Sequence, residues 1–152
     1  MEKTGYEKII AYFEEENGLE NLLKDYKDTF NMIESIGNDF LQDMVSTITE
    51  YKERLNKLTG AYMALEPLYS LAEAHKLNEE NREYVNRKET IEKTGAKVIS
   101  AAIEKEASLA VANFRRIRNI LEGYVLSCEK GIVTCQTQMK RKEEDNNFKP
   151  HE

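Results

Sequence analysis

Apolar side chains recur along this chain in steps that alternate between three and four, the mark of a helix with one buried stripe. The first row runs Leu23, Tyr26, Phe30, Ile33, Gly37, Phe40, Met44, Ile48, Tyr51, Leu55, Leu58, Tyr62, Leu65, Tyr69, Ala72. Two steps of four follow each other at Phe40, Met44 and Ile48, a stutter that relaxes a supercoil without ending the helix. The row therefore predicts one long helix over 19–75. Gly37 and Gly60 each weaken it by about 1 kcal/mol relative to alanine. Pro67 removes a backbone donor and clashes with the preceding turn. Because the row keeps its phase across all three, they predict a bend rather than an end.

Apolar content then collapses in "AHKLNEENRE" (74–83), where Asn78 followed by Glu79 and Glu80 reads as an N-cap with acids in the first turn. A second row follows: Tyr84, Ile91, Ile99, Ile103, Ala107, Ala110, Phe114, Ile117, Leu121, Tyr124, Cys128, Ile132, Cys135, Met139. It predicts a second long helix over 79–141, with a further break at "EKTGAKV" around Gly95 as the alternative. Both helices come to roughly 85–95 Å at 1.5 Å per residue. Two matched rows joined by a short turn fold back as an antiparallel, coiled-coil-like hairpin. A short amphipathic helix over 3–16 (Tyr6, Ile9, Ile10, Phe13) precedes them and ends at Asn17-Gly18 in the manner of a C-cap. The tail "EEDNNFKPHE" (143–152) lacks periodicity and is expected to be disordered. The fold class is thus all-α: a single helical domain over 1–142, built as a hairpin that buries too little alone and assembles with further copies into a helical bundle.

Composition agrees with long helices: two prolines, seven glycines, no tryptophan, and charge on 33% of 152 residues. The polar opening "MEKTGYEKII" and the lack of a long apolar run lead us to expect a soluble, cytoplasmic chain. Cys128 and Cys135 both fall on the apolar row. Seven residues of helix separate them by about 10.5 Å, too far for a disulfide, so they read as small buried hydrophobes.

The net charge of −6 is unevenly spread. Residues 1–76 hold 8 basic and 15 acidic side chains, whereas 105–142 holds 8 basic and 3 acidic. An acidic half and a basic segment attract each other, within or between chains. The second reading is a basic strip (Arg115, Arg116, Arg118, Lys130, Lys140, Arg141, Lys142) that holds a polyanion, nucleic acid or anionic lipid. Phe30, Phe40, Tyr51, Leu55, Phe114, Ile117, Leu121 and Tyr124 are expected to pack the core or an oligomer seam.

Catalytic patterns are not found. No glycine loop has the spacing that cradles phosphate. His75 and His151 have no plausible zinc partner, no Glu-x-x-His pair is present, and no nucleophile has a histidine base. The expectation is a protein with no cofactor and no enzymatic activity, a self-assembling scaffold or adaptor with a protein partner.

In plan alone, long antiparallel helices with a basic last section ("EKEASLAVANFRRIRNILEGY") resemble two families. One is the BAR domains of the sorting-nexin type, which dimerise and bind curved membrane. The other is the small phage recombination mediators, which assemble into rings and bind single-stranded DNA. The likeness implies an anionic membrane or a nucleic acid as alternative partners and carries no individual residue across.

Overall fold

The computed structural model describes residues 1–148. It holds six helices: α1 (Gly5–Glu14), α2 (Gly18–Asp25), α3 (Lys27–Leu41), α4 (Ile48–Lys93), α5 (Ser100–Ala110) and α6 (Ala112–Asn147). No strand occurs among the described residues. The all-α hairpin class holds, with α4 antiparallel to the C-terminal helices. Its breaks fall elsewhere than the apolar rows predict.

The long first helix is in fact three. It loosens at Tyr26 and ends at Leu41, and the chain reverses before Ile48. The reversal sits at the double step of four, and its chemistry is explicit. Asp43 takes a left-handed backbone, φ 53°. A capping box then opens α4: the Glu50 N–H donates to Thr47 Oγ1 at 3.2 Å, and Glu50 Oε2 accepts the Ser46 and Thr47 N–H groups at 2.8 and 3.0 Å. Val45 is buried beneath the turn, and the Tyr51 hydroxyl donates to its carbonyl at 3.0 Å.

The turn expected over 74–83 is the interior of α4, which runs on through Gly60 and Pro67 to Lys93. Its polar composition belongs to solvated faces laced by ion pairs such as Lys76 with Glu80 and Arg87 with Glu83. The reversal instead follows Thr94-Gly95, where Gly95 adopts φ +74° and its N–H donates to the Glu92 carbonyl. Of the two readings of the second row, the break at Gly95 holds, but the separate short helix it implies over 78–94 is the last part of α4. Gly18 corrects a smaller point. It opens α2 rather than capping α1, and a Cβ there would overlap the Tyr12 carbonyl. Residues 143–147, expected in a disordered tail, continue α6. Phe148 follows in an exposed turn, and the rest of that tail, 149–152, lies outside the described residues.

The chain divides into two units. The first comprises Met1–Leu22 with Pro67–Leu121. In it, α1 starts on its own capping box, with Thr4 and Glu7 bonded reciprocally, and buries Ile9, Tyr12 and Phe13. Phe13 stacks on His75 of α4 at 4.6 Å and tilts against Phe114 of α6 at 4.9 Å. His75 is therefore a packed helical residue, not part of a turn. Here α4 is antiparallel to α5 and the start of α6, joined by Arg87 with Glu106 at 3.1 Å and Arg118 with Glu73.

The second unit comprises Leu23–Glu66 and the chain from Glu122 onward. It is a three-helix bundle. The hairpin of α3 and α4 is closed by Arg54 on Asp39, at 2.9 and 3.1 Å. The third helix, α6, runs parallel to α3: Phe30 stacks on Tyr124 at 3.9 Å, and further along Phe40 and Thr134 line one groove. Between α4 and α6 the contact is so close that a Cβ on Gly131 would come within 2.5 Å of Leu58 Cδ1.

Candidate functional site

All seven cations proposed from the sequence lie on α6, and the structure sorts them into different situations. Arg118 is half-buried. Its Nε pairs with Glu73, and its guanidinium lies 5.5 Å from the centre of the Tyr69 ring. Arg115 donates to the Ser108 carbonyl at 2.9 Å and stands 3.8 Å from Glu80. Both arginines are thus turned onto α4 and its acids; Arg118 meets Glu73 of the acidic half 1–76, as the self-attracting reading of the charge pattern requires, whereas Glu80 lies outside that half. Arg116 is exposed and lines a hollow of about 240 Å³ beside Glu15, Glu16 and Glu20.

Lys130, Lys140, Arg141 and Lys142 belong to the second unit, the first three exposed and Lys142 half-buried. None has an ion pair among the described residues. At about 100° per residue, Lys130 and Arg141 share a face, while Lys140 and Lys142 stand to either side. Three successive cations wrap the helix and do not form a stripe.

The expected packing residues are inside or half inside. Phe30, Tyr51, Ile117 and Leu121 are buried; Phe40, Leu55, Phe114 and Tyr124 are half-buried. The Tyr124 hydroxyl donates to Glu34 at 2.6 Å. Burial, then that carboxylate, pushes its pKa up to about 12. Cys128 and Cys135 are free and buried, and burial raises both thiols, Cys128 to about 11. Thiols held so far from thiolate are poor nucleophiles.

The periodicity did not single out a different surface, on the second unit. Between α3 and α6 runs a groove of about 320 Å³ with Leu58 of α4 at its floor. Ile36, Gly37 and Phe40 form one wall; Ser127, Lys130 and Thr134 form the other. Next to it, α6 carries an outward row, Gly123, Leu126, Lys130, Val133, Thr137, again in steps of three and four. Leu126 is 46% and Val133 60% exposed. The signal was in the sequence: "GIVTCQTQM" (131–139) is nine residues without a charge, in a chain whose solvated helix faces are otherwise charge-rich.

No group of three or more metal-ligating side chains gathers among the described residues, and no helix there is long and apolar enough to cross a membrane. No protein-family model matches this chain, and neither a curated protein nor a solved structure matches it.

Proposed function

We propose that this protein is a non-enzymatic helical scaffold that works by protein–protein interaction and self-assembles to do so. The observation that carries the reading is the outer face of α6 in the second unit, which leaves Leu126 and Val133 in solvent on a nearly uncharged row. Single exposed apolar residues are ordinary, but two on one helix face, beside an apolar groove, offer a surface that a partner helix can cover. The partner contributes a helix, and no cofactor takes part. Sedimentation equilibrium over a hundredfold concentration range tests this: a mass rising to dimer or higher supports it, and a monomer throughout overturns self-assembly.

A second reading has its own observation. Lys130, Lys140 and Arg141 of the second unit are exposed and have no ion pair among the described residues, so they are available to hold phosphates of a nucleic acid. Single-stranded DNA binding that weakens steeply with salt and is lost in Lys130→Glu/Lys140→Glu/Arg141→Glu would favour it. Co-sedimentation with anionic vesicles, lost in the same variant, would instead favour an anionic membrane.

A further inference from the structure

We infer that the groove between α3 and α6 is the seam on which a second copy of this chain docks, seating its own α3–α6 face there. The inference rests on the self-assembly reading above and names the surface. Three observations lead to it.

The first is architectural. Helices α3 and α6 run parallel with α4 beneath both, so the side facing away from α4 is open. A three-helix arrangement with one open side is completed by further helices across the groove. At Gly37 a Cβ would meet nothing within 4 Å, so the wall is set back there and admits a close neighbour. The same helix α6 uses Gly131 in another way, to let Leu58 in from the inside.

The second is continuity. The groove is bordered by the outward row of α6, and Lys130 belongs to both. Groove and row form one surface, apolar at its centre and nearly free of charge over 131–139. Depletion of charge at the centre is the compositional mark of interface cores.

The third is charge complementarity, and it selects the occupant. The groove is lined by two charged side chains of opposite sign, both exposed: Glu34 from α3, whose carboxylate also accepts from the Tyr124 hydroxyl, and Lys130 from α6. A surface holding one charge of each sign, on its two different helices, complements itself. A two-fold axis that sets α3 of one copy over α6 of the other brings Glu34 against Lys130 of the second copy, and the reciprocal pair forms by symmetry. A partner with a uniformly acidic or basic helix leaves one of the two charges opposed by its own sign.

The experiment is sedimentation of the full chain and four variants, with helicity checked by circular dichroism. Gly37→Leu enters the groove from a Cβ that meets none of the protein's own atoms within 4 Å, so it is expected to keep its helicity and shift the equilibrium to monomer. Glu34→Lys and Lys130→Glu each place like charges across the seam and are expected to weaken association tenfold or more. The double variant Glu34→Lys/Lys130→Glu restores opposite signs and is expected to recover most of the loss. A wild-type chain that stays monomeric overturns this seam and self-assembly together. A wild-type dimer indifferent to Gly37→Leu overturns the seam alone. Loss in both single variants without recovery in the double removes the two-fold pairing.

Discussion

Helix α4 lies in two settings, and they are held together by different forces. In the second unit, over 48–66, it buries Tyr51, Leu58, Ala61 and Leu65 against two other helices. In the first unit α4 still buries Leu68 and Ala72, but from Glu73 to Lys93 not one of its residues is buried. What holds that arm is Ile103, Ala107 and Val111 on the opposite side, with ion pairs of α4 to Glu106, Arg115 and Arg118. Apolar contact removes surface from water at about 25 cal/mol per Å² and, carrying no charge, is not screened by a salt such as sodium chloride. Exposed ion pairs contribute about 0–1 kcal/mol each and are screened. One continuous helix can therefore be firm along one stretch and pliant along another.

Core truncation should separate the settings most sharply. Leu58→Ala removes a side chain only 1% exposed and leaves a cavity facing Gly131, at an expected loss of about 3 kcal/mol. The matching change in the arm, Val85→Ala, removes a side chain 48% exposed and should cost less than about 0.5 kcal/mol. Urea unfolding of both variants checks this, and equal losses would erase the distinction. Arg118→Ala comes next. It strips Glu73 and Tyr69 of a partner that donates to both, for an expected loss of about 1–2 kcal/mol. If the arm relies on ions, raising salt should shrink the difference between wild type and this variant while leaving that of Leu58→Ala unchanged.

The same contrast explains what the sequence disclosed. Periodicity found most of the buried positions of the second unit, because packed helices impose a stripe. It missed Ile36, Ala61 and Val125, which a two-helix seam leaves outside and a third helix buries, and Val45, which is buried by the turn. The 74–83 stretch looked like a turn because an arm with few core positions has little apolar signal to give. The true reversals were legible by other marks. Thr47-Ile48-Thr49-Glu50 spells a capping box, and Gly95 is the left-handed glycine that ends a helix. At Phe40, Met44 and Ile48 the double step of four marked a break rather than a relaxed supercoil, whereas the same double step at Tyr124, Cys128 and Ile132 lies inside unbroken α6. The ring stack of Phe13, His75 and Phe114 draws on three helices far apart in sequence, and no local pattern announces such a meeting.

Two glycines give a smaller test, of about 1 kcal/mol and opposite sign. Gly95→Ala forces a Cβ into φ +74° at the end of the arm and should destabilise by about 1 kcal/mol. Gly60→Ala, where a Cβ meets nothing within 4 Å in mid-helix, should stabilise by up to about 1 kcal/mol. Thermal unfolding of the pair decides it; a loss at Gly60 would mean an unseen neighbour there.

Acid produces the smallest effect and separates the two helix starts. Glu50 at the start of α4 and Glu7 at the start of α1 each accept backbone N–H bonds in a capping box, and those bonds hold both carboxyls below the ordinary value of 4.5. A lowered folded pKa means stabilisation that is complete above the unfolded value and lost as the pH falls through the folded one. Both starts therefore lose their box in acid. At α4 the turn keeps a second tie, the buried hydrogen bond from Tyr51 to the Val45 carbonyl. Burial and neighbouring carboxylates raise the Tyr51 phenol, so it stays protonated throughout acid and neutral pH. The box of α1 is exposed and has no such tie at its cap. Amide shifts followed by NMR from pH 6 downward should show Thr4 and Glu7 moving toward coil values while Ser46 and Thr47 move less. Tyr51→Phe should remove that difference. Equal fraying of both starts in the wild type would show that the buried tie adds nothing to the α3–α4 turn.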